Sequence, residues 1–287
     1  MTEARFYTAL EEGVQCLLCP HHCRIREGGR GICRSRECRG GKLYALSYGA
    51  PCALAVDPVE KKPLNQFLPG TYCLSLSCTG CNLSCRWCQN SDISQATPEE
   101  ADHYVLPPEA LVDLCLQRSL PSIAYTYTEP LTWWEYMYDT AVLAHQKGLK
   151  NILVSAGYAE KEPMQALLPY LDAANIDIKA MDDAFYRKYC GASLAPVLEN
   201  ILAMTAALVH VEITNLLVTG LNDSEEQVGR LCAWMAENSL QDVPLHFSRC
   251  FPRHRMQDLP PTPKATLLRA REIAQSMGIR NIYLGNV

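Results

Sequence analysis

Eleven of the 15 cysteines fall before residue 89, at positions 16, 19, 23, 33, 38, 52, 73, 78, 81, 85 and 88. This crowding constrains the fold more than any other feature. A disulfide framework belongs to short secreted chains with a leader. Here the chain has 287 residues, and Met1-Thr2-Glu3-Ala4-Arg5 is not a basic segment followed by an apolar run, so no secretory leader is expected. No run of about 18 uncharged apolar residues occurs, so no membrane span is expected either. In a reducing cytoplasm, crowded thiols point to metal. The other four, Cys115, Cys190, Cys232 and Cys250, are scattered and read as small buried apolar residues.

A content of 48% hydrophobic and 20% charged residues fits an ordered globular chain. The formal net charge of −5 removes a broad electrostatic case for nucleic acid or anionic membrane as the main partner. Residues 1–65, rich in Cys, Gly and Arg, read as a Cys-rich metal-binding module too poor in apolar residues to fold well without a staple. Pro63 and the Pro69-Gly70 turn mark its junction with residues 66–287.

Beyond the junction, strand-like runs at Thr71–Ser77, Ile123–Tyr127, Asn151–Ser155, Ala174–Ile178, Val209–Leu217 and Pro244–Phe247 alternate with helix-length segments. The segments are 108–118, 130–148, 161–171, 182–207 (broken near Gly191), 223–238 and 263–277. Six such units predict an α/β fold with a parallel sheet. Polar residues recur at strand ends, at Glu129, Ser155, Asp177, Lys179, Asn215 and His246. They favour an incomplete β/α barrel, where those ends converge on one face, over an open doubly wound sheet.

Directly after the first barrel strand comes Cys78-Thr79-Gly80-Cys81-Asn82-Leu83-Ser84-Cys85-Arg86-Trp87-Cys88-Gln89-Asn90. Cys81, Cys85 and Cys88 have the spacing C-x3-C-x2-C. Three thiolates can hold three irons of a cubane cluster and leave the fourth open, as a metal that binds substrate requires. Cys78 with the other three makes a compact four-thiolate zinc site the alternative. Zinc ribbons, however, separate their two knuckles much further. Cys78 is expected at the strand end, turned away.

This loop, with Trp87 just before its third cysteine, resembles that of the radical S-adenosylmethionine (SAM) superfamily. Tyr125-Thr126-Tyr127-Thr128-Glu129-Pro130 stands where that family has its second-strand motif, with Tyr127 and Thr128 replacing two glycines. Further phrases are Cys16-x2-Cys19-Pro20, Asp57-Pro58-Val59-Glu60-Lys61-Lys62-Pro63, Cys88-Gln89-Asn90, Ile176-Asp177-Ile178-Lys179, Gly220-Leu221-Asn222-Asp223 and Leu245-His246-Phe247. On these the chain resembles the pyruvate formate-lyase activating enzyme branch and, within it, the AmmeMemoRadiSam system radical SAM enzyme family.

The resemblance implies an incomplete (β/α)6 radical SAM barrel, a 4Fe–4S cluster on Cys81, Cys85 and Cys88, and reductive cleavage of SAM to methionine and a 5′-deoxyadenosyl radical. It implies no protein nucleophile. Glu129 would then hold the SAM ammonium, and Lys179 the SAM carboxylate or a polar substrate group. Asp177 would support a ribose hydroxyl or a bound cation, Ser155 and Gly157 the ribose, Asn215 and His246 the far side near ribose and adenine, and Trp87 the cluster and adenine. The plain alternatives are an Asp177–Lys179 ion pair, a hydrogen-bonded core His246 and a packing role for Trp87.

Cys16, Cys19, Cys23 and Cys33 form C-x2-C-x3-C-x9-C, which suits a closed zinc site, a second Fe–S cluster or free thiols. Glu60-Lys61-Lys62-Pro63 reads as a solvated turn. The leading function is hydrogen abstraction from a protein or peptide substrate, as an activating enzyme does, fed by a donor such as flavodoxin or ferredoxin. The alternatives are a radical SAM enzyme of small metabolites and a non-catalytic zinc-binding interaction protein.

Overall fold

A computed structural model describes residues 2–287. Short apolar runs alternating with longer helices build one eight-stranded sheet. In chain order its strands are β1 (Ala53–Pro58), β2 (Tyr72–Ser77), β3 (Ser122–Tyr125), β4 (Lys150–Ser155), β5 (Ala173–Asp177), β6 (His210–Leu217), β7 (Leu245–Arg249) and β8 (Ile282–Gly285). They lie side by side in that order; β1 runs antiparallel to β2, and β2 to β8 are parallel.

The parallel strands are linked by α1 (Pro108–Gln117), α2 (Trp134–Gln146), α3 (Lys161–Leu167), α4 (Ala195–Ala206), α5 (Glu225–Glu237) and α6 (Lys264–Ser276). Ile123, Ile152, Ile176 and Ile213 are fully buried, as in a parallel sheet covered by helices. All six expected strands are present with bounds shifted by a residue or two, and α1, α5 and α6 match their expected segments as closely. By contrast, α2, α3 and α4 fill only part of 130–148, 161–171 and 182–207, the rest including short helical turns. The architecture is the incomplete β/α barrel.

Two strands were not legible in the sequence. β8 is short and only half-buried. β1 lies inside the stretch assigned to the cysteine-rich module, but its backbone pairs with β2 from Ala53↔Ser77 to Pro58↔Tyr72. The module's own strands end at Ala45. They form two three-stranded sheets, one of Thr2–Glu3, Lys42–Ala45 and Arg36–Arg39, the other of Tyr7–Leu10, Gly13–Cys16 and Arg24–Ile25.

The expected solvated turn at residues 60–63 is instead built into the barrel. Lys62 is 1% exposed, bonded to Asp57 at 2.6 Å and set 4.7 Å over the Tyr127 ring. Val59 and Leu64 are buried in one apolar cluster with Cys73, Ala124, Ile152 and Ala173 of the strands. Pro63 O accepts from Asn175 Nδ2 at 2.7 Å, and the amides of Asn65 and Gln66 donate to Glu212 at 3.0 and 2.8 Å.

Glu212 is fully buried, and His210 and His246 flank it at 3.0 and 2.6 Å. Burial works against its charge, yet these histidines and the two amides hold its carboxyl down at about 2, below the ordinary value of about 4.3. A depressed carboxyl adds stability that is present above its unfolded value and lost as pH falls through the folded one. Glu212→Gln is therefore expected to lower the unfolding free energy at pH 7 by about 3 kcal/mol, the order given by about 1.4 kcal/mol per unit. The variant should also flatten the fall of stability between about pH 4.5 and 2. Denaturant unfolding across that range checks it; an acid limb parallel to the parent's would refute it.

Candidate active site

The three cysteines sit on the loop that leaves β2, at the end of the barrel where β3, β4 and β5 also finish. Each thiol lies within electrostatic reach of the others: Cys81 of Cys85 and Cys88, and Cys88 of Cys85. Among the described residues, no three Cys, His, Asp or Glu side chains are gathered closely enough to share one metal ion. Three thiols within reach of one another match the donor count of a cubane cluster with one iron left open. Cys78 does not join them. Its Sγ donates to Ser47 O at 3.5 Å, and its thiol neighbour is Cys52.

The loop is held from several sides. Ser84 N and Arg86 N donate to the carbonyls of Cys190 and Tyr189, at 2.8 and 3.1 Å. Those residues end a π turn, Tyr186–Cys190, which closes on Gly191 at φ +67°. A Cβ at Gly191 would stand 2.5 Å from Ser84 Oγ, so only glycine lets the turn pack there. The Cys190 thiol donates to Cys85 and, against burial, helps the Lys179 ammonium hold Cys85 below the ordinary thiol range. Burial pushes Cys81 and Cys88 up; both must shed protons to take iron. Cys190 was expected to be an inert core residue; nothing in its local sequence marks its approach to Cys85.

Glu129 and Ser155 come together. The Glu129 carboxylate is 1% exposed and accepts from Ser155 Oγ at 2.6 Å, Ala156 N at 2.8 Å and Leu131 N at 3.1 Å. Burial raises its carboxyl against these donors and Lys179. Three of its roughly four lone-pair positions are taken, so the side chain chiefly ties the end of β3 to the end of β4. Ser155 Oγ in turn accepts from Gly157 N at 2.8 Å, which leaves Ser155 engaged within the protein. Gly157 adopts φ +67°, and a Cβ there would stand 3.1 Å from Ile176 Cγ2.

Asp177 and Lys179 form the ion pair, 2.9 Å apart. Burial opposes the Lys179 charge, but Asp177 and Cys85 more than offset it and keep the ammonium protonated. Asn222 Nδ2, a residue not singled out for the site, donates to Lys179 O at 2.6 Å and so fixes that backbone. Trp87 is buried with its ring 5.6 Å from Phe185. Asn215 donates to Ile178 O at 2.7 Å, which makes it a brace between β6 and the end of β5.

His246 is elsewhere. It is the second residue of β7, at the opposite end of the barrel from the cysteine loop, bonded to Glu212 and stacked on Tyr283 at 5.1 Å. The strand continues beyond Phe247, its expected end, to Arg249, which leaves His246 near its start. Beside the cysteine loop lies an open cleft of about 690 Å³, bordered by Gln89, Ser91 and Asp92 on one side and by Phe251, Arg253 and His254 on the other. Arg255 N donates to Arg86 O at 2.9 Å, joining the two walls.

A partial β/α barrel with three cysteines on the first loop of its parallel strands defines a class of radical-generating enzymes. The chain belongs to that class, the Radical SAM superfamily, whose pattern it matches over residues 76–235. An uncharacterized protein of Methanocaldococcus jannaschii is 45% identical over 288 residues, covering 100% of this chain and 86% of its own length. The pyruvate formate-lyase-activating enzyme of Clostridium pasteurianum is 27% identical over 158 residues, 53% of this chain and 64% of that protein. Streptococcus suis SuiB shares the fold at 14% identity. Bound to S-adenosylmethionine it gives a TM-score of 0.58 over 75% of this chain and 52% of its own. Bound to its precursor peptide SuiA it gives 0.57 over 79% and 51%.

The chain fits the activating-enzyme branch and is an enzyme of radical chemistry; the family implies a 4Fe–4S cluster and SAM. The non-catalytic zinc reading is set aside on that membership. Among the described residues, no helix is long and apolar enough to cross a membrane.

Proposed function

We propose that the protein, working in a reducing cytoplasm with a ferredoxin- or flavodoxin-type donor, abstracts hydrogen from a protein or peptide substrate. A 4Fe–4S cluster held by Cys81, Cys85 and Cys88 would supply the electron that splits SAM into methionine and a 5′-deoxyadenosyl radical. Lys179, kept charged by Asp177, presents an ammonium for a carboxylate. Glu129 fixes the ends of β3 and β4 so that their backbone can orient the cofactor. Trp87 excludes water from one side of the loop.

The observation that carries the substrate class is the open cleft beside Gln89 and Asp92. A small metabolite is normally held in an enclosed pocket, whereas this mouth has room for a segment of polypeptide. The pyruvate formate-lyase-activating relative and the peptide-bound SuiB neighbour point the same way. Anaerobic reconstitution with SAM and reductant is expected to yield 5′-deoxyadenosine. Macromolecular extract of the source cell should raise that yield several-fold, and protease treatment of the extract should abolish the rise. Stimulation that passes into the low-molecular-weight fraction and survives protease would transfer the reading to a metabolite.

A further inference from the structure

A second set of thiols is gathered outside the radical-forming loop. Cys16 ends its strand, and its amide donates to Cys23 O at 3.0 Å, closing the turn that carries Cys19. Cys33 sits on a tight turn in which Arg34 N donates to Gly31 O at 2.9 Å. Cys16, Cys19, Cys23 and Cys33 all border one small, largely enclosed space. A methyl group added at Gly31 would touch Cys33 Sγ at 3.7 Å and Cys23 Sγ at 3.8 Å together. Cys16, Cys19 and Cys23 all lie within electrostatic reach of Cys33.

A separate observation points to an occupant. Arg36 borders the same space and is 1% exposed. Its Nε donates to Thr132 O and its Nη2 to Glu135, but its Nη1 has no partner. A buried guanidinium N–H left unpaired calls for a missing acceptor, and a cluster carrying thiolates and inorganic sulfides is an anionic one. The ligand spacing selects the occupant. Zinc needs four sulfurs about 2.3 Å from one centre, and among the described residues no three Cys, His, Asp or Glu side chains are gathered around a single-ion position, which favours the larger cubane. His21 also borders the space, but its Nε2 is tied to Asn82 O at 2.7 Å, which leaves the four cysteines as the ligand set.

The space shares a wall with the radical-forming loop. The Asn82 side chain hydrogen-bonds Cys19, while its backbone directly follows Cys81. Gly80 adopts φ +95°, and a Cβ there would fall 2.4 Å from Cys33 O, so the two cysteine segments pack backbone against backbone.

We infer that Cys16, Cys19, Cys23 and Cys33 hold a second 4Fe–4S cluster that relays single electrons to the cluster on Cys81, Cys85 and Cys88. In each transfer the amino-terminal cluster is oxidised by one electron and the other is reduced by one. A low-potential one-electron protein donor then restores the first. The relay rests on the radical SAM reading; the metal site does not.

Metal analysis separates the two. The full chain, isolated anaerobically, is expected to carry about eight irons, and the triple variant Cys81→Ala, Cys85→Ala, Cys88→Ala about four irons, four sulfides and no zinc. That variant should give a paramagnetic signal on reduction. About one zinc per chain, or no metal at all, in the triple variant would overturn the site whatever the enzyme's activity. For the relay, the pair Cys16→Ser, Cys33→Ser should slow ferredoxin-driven 5′-deoxyadenosine formation at least tenfold, with a smaller effect on dithionite-driven formation. Equal slowing with both reductants would overturn it. If that pair does not fold, rapid-freeze spectroscopy of the parent mixed with reduced ferredoxin decides. The amino-terminal cluster must be reduced first, and the reverse order refutes the relay.

Discussion

Cys85→Ala is expected to lose SAM cleavage to below detection, at least about a hundredfold, the upper end of what a mere orienting residue around a metal costs. The side chain is one of three thiols with no spare. Cys78, the nearest substitute in sequence, is turned toward Ser47 and Cys52. Cys190, the nearest in space, donates to Cys85 from a turn that is itself fixed by Gly191 against Ser84. Iron content and 5′-deoxyadenosine after anaerobic reconstitution measure the effect. Cys78→Ala serves as the control and should retain iron and cleavage, with a stability cost of only about 1 kcal/mol for a small buried side chain. Loss of iron in Cys78→Ala with retention in Cys85→Ala would reverse the ligand assignment.

The second large effect belongs to Glu129. Glu129→Ala strands three donors at once: Ser155 Oγ–H, Ala156 N–H and Leu131 N–H. A buried donor left without its partner costs about 1–3 kcal/mol, so about 3–9 kcal/mol of stability should be lost, together with most activity. Glu129→Gln keeps the shape and one carbonyl oxygen. It should recover more than half of the stability, and its remaining activity should report on the charge alone. Chemical unfolding of both variants beside their 5′-deoxyadenosine yields checks this. Full stability in Glu129→Ala would show that the ends of β3 and β4 are held by something else.

The barrel was legible because its parallel strands are short apolar runs buried on both faces, such as Asn151–Ser155, set off by long helical segments with evident stops. What escaped were edges: β1, whose half-buried residues lie among cysteines, and β8, a short run at the far side of the sheet. The cysteine loop was legible because its spacing is local. The partners of its neighbours were not, since Cys190 reaches Cys85 across 105 positions and Asn222 reaches Lys179 across 43. Lys62 misled in the same way. A lysine beside another lysine reads as solvent-facing until Asp57 and the Tyr127 ring are seen to enclose it. His246 was placed at the wrong end because the strand was expected to stop at Phe247, whereas it runs on to Arg249 and leaves His246 near its start.

The segment from Val59 to Phe67 has a consequence for traffic. Threaded beneath the strands and bonded to Asn175, Glu212 and Tyr283, it covers the end of the barrel opposite the cysteine loop. On the proposed function, methionine and spent nucleoside would leave past the cleft that holds the polypeptide guest, and the guest would have to withdraw before the next cofactor entered. Each visit would then deliver one radical and no more.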